Sequence, residues 1–235
     1  MSRILTVISH IDDPSIGILE RSARSAGWTI AIVRPFRGEV LPSPEDLDAL
    51  TVLGGPQSAY DTANHPYLNT EIDFIARTHR RGVPILAICL GSQLLSEALG
   101  GQAAPGTSGL ECGFIHVTAA TTELPLQGRF FSFHSDTAIP PAHAERLARS
   151  DRYLQSWRVG SSLAIQFHPE LGAVGIGELL AIESEKLARF GVDVGAIRAE
   201  LAEESTSPSP GDCLLDAWFA ALPDSIPAHS LNSSL

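Results

Sequence analysis

The 235-residue sequence has few cysteines, a deficit of positive charge and no long apolar run, and each shortage excludes a class of protein. Its three cysteines (Cys89, Cys112, Cys213) include no Cys-x-x-Cys pair, so neither a disulfide framework nor a typical zinc site is expected. With 16 lysines and arginines against 27 acidic residues, the formal net charge of −11 argues against nucleic acid as a partner. No stretch approaches the roughly 20 apolar residues that span a membrane, and the first residues lack the apolar region of a signal peptide. We therefore expect a cytoplasmic protein that binds neither nucleic acid nor membrane.

The sequence also lacks the common signatures of a bound cofactor. It contains no G-x-x-x-x-G-K-[ST] phosphate loop and no Ser-Gly-Gly-x-Asp-Ser pyrophosphatase motif. Its histidines are scattered and show no metal-ligand spacing. We therefore expect a site that works without a metal or a cofactor.

Apolar strand patterns alternate with helical patterns through the first half of the chain, which is typical of βαβ units and a parallel sheet. Short β-rich segments between about residues 113 and 167 then indicate a small antiparallel section. The predicted fold class is α/β, with a doubly wound, mostly parallel sheet flanked by helices. The strands and helices predicted in the first half are strands at 3–9, 28–33, 51–53 and 84–88 and helices at 14–26, 67–81 and 90–99.

Residues 1–190 are predicted to form the main domain, which a helical pattern at 172–189 closes. Residues 191–222 are predicted to be a C-terminal helical appendage with a Ser/Pro-rich linker at 205–211, and residues 223–235 a flexible tail. The last helix could serve as a lid, as a docking element or as plain packing, and its apolar side favours packing.

Cys89 stands between the apolar run 84–88 and the helical pattern that begins at Leu90. A strand, a nucleophile, a glycine two residues later and a helix form the pattern of a nucleophile elbow, here with Ala87 in place of the usual first glycine. Such a turn lifts the side chain above the sheet edge, and the helix N-terminus favours a thiolate. A structural cysteine can show the same pattern, so Cys89 alone does not establish a nucleophile.

A second cluster, Phe167-His168-Pro169-Glu170, follows the apolar run 162–166. His168 is expected to end a strand, where its side chain shares one face with that of Glu170 if the extended backbone continues. A thiol nucleophile needs a histidine as its base and a carboxylate that orients this histidine. The sequence therefore predicts a triad of Cys89, His168 and Glu170.

The segment Leu53-Gly54-Gly55-Pro56 provides a third element, because glycines just past a strand let backbone N–H groups approach a ligand. One N–H from Gly55 and one from Leu90 would form an oxyanion hole, in which the loss of a donor costs about 2.7–4 kcal/mol. A plain turn is the alternative interpretation of these glycines.

Four motifs, taken together, resemble those of class I glutamine amidotransferases in order and spacing: Leu53-Gly54-Gly55-Pro56, 88–95, His134-Ser135-Asp136 and 166–170. Within that family the chain is most similar to the stand-alone proteins that resemble the amidotransferase domain of GMP synthase. The resemblance covers about residues 3–180 and implies a flavodoxin-like fold. It also implies that the triad hydrolyses the side-chain amide of glutamine through a γ-glutamyl thioester on Cys89.

The resemblance implies roles for further residues as well. It assigns the oxyanion N–H groups to Gly55 and Leu90 and a contact with the bound glutamine to Gln93. It implies that the backbone of His134-Ser135-Asp136 binds the substrate's α-amino and α-carboxylate groups. The chemistry agrees, because an amide is a poor electrophile that needs a thiolate, and His168 can protonate the departing ammonia.

The sequence leaves three functions open. The first is a glutaminase subunit that delivers ammonia to a separate synthetase, since no acceptor-activating motif is present. The second is a stand-alone hydrolase of γ-glutamyl amides or peptides with the same triad. The third is a degenerate binding or regulatory module, which the intact triad disfavours. An α/β-hydrolase is also disfavoured, because it places its acid before its histidine, whereas Glu170 follows His168.

Overall fold

The computed structural model describes residues 3–203 and 208–223, which form an α/β structure. Its strands are β1 Arg3–Ile8, β2 Trp28–Val33, β3 Ala49–Val52, β4 Ile85–Ile88, β5 Gln102–Pro105, β6 Glu111–Ala119, β7 Gly128–His134, β8 Asp136–Ile139, β9 Glu145–Arg149, β10 Leu154–Val159 and β11 Ser162–Ile165. Its helices are α1 Gly17–Ser25, α2 Tyr67–Arg80, α3 Leu90–Ala98, α4 Ala173–Ile182, α5 Ser184–Arg189, α6 Val194–Glu203 and α7 Pro210–Ala220.

Nine of these strands form one sheet in the order β2-β1-β3-β4-β11-β10-β9-β6-β7, and β5 pairs with β8 separately. The first five strands are parallel, whereas β10, β9, β6 and β7 continue the sheet with antiparallel pairing. The order β2-β1-β3-β4-β11 is that of a flavodoxin-like sheet, whose strand order reverses between β1 and β3. The predicted fold class is thus confirmed, and the antiparallel section extends over four strands beyond β11.

The two faces of the parallel strands are covered by different helices. Because successive side chains of a strand point to opposite faces, Leu86 and Ile88 of β4 pack with α1 and α7. Ile85 and Ala87 pack with α2 and α3 on the other face. A third core lies between β7 and the helices α4, α5 and α6.

Most predicted boundaries lie within two residues of the observed ones, and two predicted helices differ more. The helix predicted from residue 14 begins at Gly17, because the Ser15 hydroxyl donates a hydrogen bond to Glu178 and the Ile18 N–H donates one to the Glu170 carbonyl (3.1 Å). The helical pattern at 172–189 is divided into α4 and α5, which meet at Glu183.

The C-terminal helix α7 packs against α1 and buries its apolar side chains, among them Trp218, in the core of the sheet. It begins at Pro210 because Ser209 and Asp212 form a reciprocal capping box. The helix is thus packed on α1 and the sheet, and the choice among a lid, a docking element and plain packing stays a prediction. Residues 204–207 of the predicted connector and 224–235 of the predicted tail lie outside the described residues, and the division into a domain and an appendage stays a prediction. In the described ranges, no helix is both long and apolar enough to cross a membrane.

Candidate active site

Segments from four strands meet at one edge of the sheet. The strands β1, β3, β4 and β11 run parallel as neighbours, so the residues that follow their carboxyl ends lie side by side. These residues are His10 after β1, the loop 53–58 after β3, Cys89 after β4 and the turn 166–170 after β11. The edge next to a reversal of strand order is where open α/β sheets bind their ligands.

Cys89 occupies a strained turn between β4 and α3. Its backbone has φ 55° and ψ −111°, and among the described residues it is the one non-glycine residue with positive φ. Such a conformation is costly for a residue with a Cβ and persists only where the surroundings impose it. Here the Cys89 N–H donates to the Ile165 carbonyl (2.8 Å), and Leu90 begins α3 at once. The turn has the geometry expected of a nucleophile elbow.

Gly91 lets the first turn of α3 approach the end of β3. A Cβ at Gly91 would lie 2.2 Å from the Val52 carbonyl oxygen, so a larger residue would force the helix and strand apart. This close approach brings Cys89 and Leu90 next to the loop that follows β3. The close contact therefore explains why a glycine stands two residues after the cysteine in this fold.

His168 and Glu170 form a buried pair beside the thiol. The imidazole Nδ1 lies 2.7 Å from Glu170 Oε1, and both side chains are less than a tenth exposed. A carboxylate only accepts hydrogen bonds, so Nδ1 carries the proton and donates it. His168 Nε2 is buried without a hydrogen-bond partner among the described residues, which leaves it available to the thiol.

The pair forms in a turn and not, as predicted, at the end of an extended strand. The strand β11 ends at Ile165, and the chain then bends because the His168 N–H donates to the Phe131 carbonyl of β7 (2.8 Å). The first turn of α7 supports this bend, since a Cβ at Gly211 would lie 2.5 Å from the Pro169 carbonyl oxygen. The two side chains therefore meet as expected, but through tertiary contacts.

The charge state of His168 is set by its neighbours. Burial lowers its pKa, but the negative charges of Glu170 and Cys89 and the hydrogen bond to Glu170 outweigh burial and raise the pKa well above its usual value. Gly54 faces both reacting groups, because a Cβ there would lie 3.2 Å from His168 Cε1 and 3.7 Å from Cys89 Sγ. The arrangement favours a protonated imidazole beside the Cys89 sulfur.

The two predicted oxyanion residues lie next to each other. A Cβ at Gly55 would lie 3.0 Å from Leu90 Cδ2 and 2.5 Å from His10 Cβ, so Gly55 sits between these two side chains. Among the described residues neither the Gly55 N–H nor the Leu90 N–H donates a hydrogen bond. Their use as oxyanion donors stays a prediction.

The predicted substrate-binding segment lies beside the thiol and is linked to the loop after β3. The Phe133 carbonyl oxygen is 3.9 Å from Cys89 Sγ, so the segment 134–136 begins next to the thiol. Asp136 Oδ2 accepts a hydrogen bond from the Ser58 hydroxyl (2.5 Å). Gln93 is buried on α3. The structure thus brings the triad residues, the two oxyanion residues and the segment 134–136 to one place, and their contacts with substrate stay predictions.

A buried network that the sequence did not reveal holds His134. Its Nε2 lies 3.1 Å from Glu111, which also accepts hydrogen bonds from the Ser150 hydroxyl (2.8 Å) and from Gln155 (2.6 Å). Burial raises the pKa of Glu111, but the hydrogen bonds from His134 and Ser150 outweigh it, so the pKa lies below its usual value. Glu111 and His134 lie 23 residues apart, so no local sequence pattern joins them.

A second unpredicted pair, His10 and Glu71, lies beneath the loop that follows β3. The imidazole contacts both the Gly54 carbonyl and the Glu71 carboxylate. One signal was available in the sequence, since His10 follows β1 and parallel strands end at a shared edge. Glu71 lies in the middle of α2 and gives no such signal. In the ranges described, no three histidine, cysteine or acidic side chains are placed to hold a metal ion.

Comparison with known proteins agrees with this geometry. The family model "Glutamine amidotransferase class-I" matches residues 15–174, about two thirds of the chain. The chain is 39% identical over 99 residues to the putative glutamine amidotransferase-like protein YfeJ of Salmonella typhimurium, a match that spans 40% of this chain and 41% of that protein. It is 31% identical to a glutamine-hydrolyzing GMP synthase subunit of Sulfurisphaera tokodaii, over 66% of this chain and 82% of that protein.

The fold has a similar solved counterpart. A glutamine amidotransferase from Thermotoga maritima superposes with a TM-score of 0.86 and 26% identity, covering 96% of this chain and all of that one. A similar solved protein from Methylobacillus flagellatus, at 21% identity and a TM-score of 0.84, shows the same fold.

Proposed function

The chain belongs to the class I glutamine amidotransferase family, and on that premise we propose that it hydrolyses the side-chain amide of glutamine on Cys89. One observation carries the proposal: the strained cysteine at the start of α3 lies beside a buried His168–Glu170 pair whose Nε2 has no other partner. A structural cysteine requires neither the strain nor the free imidazole nitrogen.

In the first half of the reaction the Cys89 thiolate attacks the amide carbon of the substrate, and the carbonyl oxygen becomes an oxyanion. The N–H groups of Gly55 and Leu90 donate to this oxygen. The carbon–nitrogen bond then breaks, His168 Nε2–H protonates the departing nitrogen, and ammonia leaves a γ-glutamyl thioester on Cys89.

In the second half a water molecule attacks the thioester carbon while His168 Nε2 takes one of its protons. The carbon–sulfur bond breaks, glutamate departs, and the thiolate–imidazolium pair is restored. Glu170 stays ionised throughout, fixes the ring through Nδ1 and stabilises the imidazolium. The reaction needs no electron acceptor or donor, because each step exchanges only an acyl group and protons.

Substrate recognition is assigned to Gln93 and to the backbone of the segment 134–136. Two contacts support the assignment, namely the position of Phe133 against the thiol and the Ser58–Asp136 hydrogen bond to the loop that carries Gly55. The segment and the oxyanion loop are therefore held in a fixed relation to each other.

We propose that the released ammonia is delivered to a separate synthetase, so that this chain works as the glutaminase of a two-protein system. The support is its similarity to a protein named as a glutamine-hydrolyzing GMP synthase subunit, 82% of whose length the match covers. A stand-alone hydrolase of γ-glutamyl amides or peptides would use the same triad, and the experiment below separates the two.

The experiment is ammonia release by the isolated protein from glutamine, from other γ-glutamyl amides and from γ-glutamyl peptides. Slow release from glutamine that rises when a synthetase is added supports the subunit role, whereas rapid turnover of other γ-glutamyl compounds without a partner supports the stand-alone hydrolase. Cys89→Ser should abolish turnover, and Cys213→Ser, at an exposed cysteine of α7, is the matched control. Activity of Cys89→Ser near that of the wild type would refute the mechanism.

A further inference from the structure

A second buried histidine–carboxylate pair lies at the sheet edge, outside the triad. His10 is 2% exposed and Glu71 is fully buried. His10 Nε2 lies 3.0 Å and 3.2 Å from the two oxygens of Glu71, and Nδ1 lies 3.2 Å from the Gly54 carbonyl oxygen. Burying two ionisable groups is costly, so a pair retained at this place calls for an explanation.

The partners of His10 determine its protonation. A carbonyl oxygen and a carboxylate can only accept, so both ring nitrogens carry protons and the ring is an imidazolium. Burial lowers the pKa of His10, but the charge of Glu71 and the hydrogen bonds outweigh burial and leave the pKa raised. Tyr67, one turn before Glu71 on α2, has its pKa raised to about 12 by burial and by the negative charge of Glu71.

The hydrogen bond from His10 reaches the peptide unit that contains the Gly55 N–H. In a planar trans peptide the carbonyl and the following N–H point in opposite directions. A bond that fixes the Gly54 oxygen on the His10 side therefore fixes the Gly55 N–H on the other side. Glycine residues leave this peptide plane otherwise free to rotate. A donor on the carbonyl also polarises the peptide and strengthens its N–H as a donor.

We propose that His10, held by Glu71, is a positioning residue that orients and polarises the Gly55 N–H for the oxyanion of the transition state. The proposal rests on the proposed function, which uses Gly55 as an oxyanion donor. The pair acts through one peptide unit, since the hydrogen bonds of the His10 ring go to the Gly54 carbonyl and to the Glu71 carboxylate.

Three variants test the proposal. His10→Leu removes the donor and should lower kcat by about 10²–10³-fold with KM changed by no more than about twofold. His10→Asn keeps an N–H near the position of Nδ1 and should recover at least about tenfold of that loss. Glu71→Gln keeps a hydrogen bond to the ring but removes the negative charge, so its loss should be about tenfold. The matched control is His79→Leu, which removes a histidine bonded to Ser162 (2.8 Å) at the opposite edge of the sheet and should leave kcat unchanged.

A binding measurement keeps the test valid if His10→Leu is too unstable to assay. Glutamate γ-semialdehyde adds to the thiol and places its oxygen in the oxyanion hole, whereas alkylation by iodoacetamide reports the thiol alone. In His10→Asn and Glu71→Gln the aldehyde should bind more weakly while the alkylation rate stays within about twofold of the wild type. Equal aldehyde affinity, an unchanged kcat in His10→Leu or no recovery in His10→Asn would overturn the proposal. If the wild type itself releases no ammonia from any γ-glutamyl amide, the proposed function fails first and this assignment fails with it.

Discussion

Gly91→Ala tests whether the approach of α3 to β3 sets the position of Cys89, the proposed nucleophile. The added Cβ would lie 2.2 Å from the Val52 oxygen and 2.8 Å from the Val52 carbonyl carbon. Both atoms belong to the backbone of a buried strand, so no side chain can rotate away. Restoring an ordinary contact requires the start of α3 to move by about 1 Å, and such overpacking costs about 1–3 kcal/mol.

That displacement carries the Leu90 N–H and the Cys89 turn with it. Misplacement of about 1 Å in reacting groups costs about 10²-fold in rate, so we expect kcat/KM for ammonia release to fall by about that factor. The melting temperature should fall by roughly 2–12 °C, since 1 kcal/mol corresponds to about 2–4 °C in a chain of this size. Steady-state kinetics and a thermal unfolding curve measure the two effects.

The control is Gly177→Ala in α4, where a Cβ meets no atom within 4 Å. Alanine should stabilise that helix by about 0.5–1 kcal/mol and leave kcat/KM unchanged. If Gly91→Ala also kept wild-type kcat/KM, the steric argument for the elbow would be refuted, because the backbone would have absorbed the overlap without moving the nucleophile.

Three further predictions concern charge, packing and thiol reactivity. The charge of Glu170 raises the pKa of His168. Glu170→Gln should therefore lower the pKa of His168 and move the high-pH limb of the kcat/KM profile to lower pH. A limb that does not move would contradict the role of the pair. Trp218→Ala should lower the free energy of unfolding by about 3–5 kcal/mol in a denaturant titration, and a loss below about 1 kcal/mol would show that α7 is not part of the core. Burial raises the pKa of Cys112 to about 11, so iodoacetamide near neutral pH should leave Cys112 largely unmodified. Mass spectrometry of the peptides measures the extent of modification. Labelling as fast as that of free cysteine would refute the burial of Cys112.

The parallel strands were predictable because their signals are local. An apolar run that ends in Cys89 before a helical pattern gives β4 and α3 without reference to the rest of the chain. The start of α1 was not predictable, because Ser15 and Ile18 are used in contacts with Glu178 and Glu170, more than 150 residues away. The two-helix division at 172–189 likewise left no mark in the apolar pattern.

The candidate site was predictable to a similar degree. His168 and Glu170 are two residues apart, so their pairing was expected, although it arises from a turn pinned to β7. The contact of His10 with Glu71 joins residues 61 apart, and that of Ser58 with Asp136 joins residues 78 apart. Neither pair has a spacing that a sequence can reveal.

The sequence by itself determined the strand and helix alternation, the elbow at Cys89 and the identity of its histidine and carboxylate partners. These follow from the period of the apolar residues and from short motifs, which act within a few residues. Only the tertiary structure decided that His168 Nε2 is free, that His10 lies under the Gly54–Gly55 peptide and that α7 supports the Pro169 turn. The physical reason is that the alternation within a strand fixes which faces are buried, whereas the order of strands in the sheet fixes which distant residues meet.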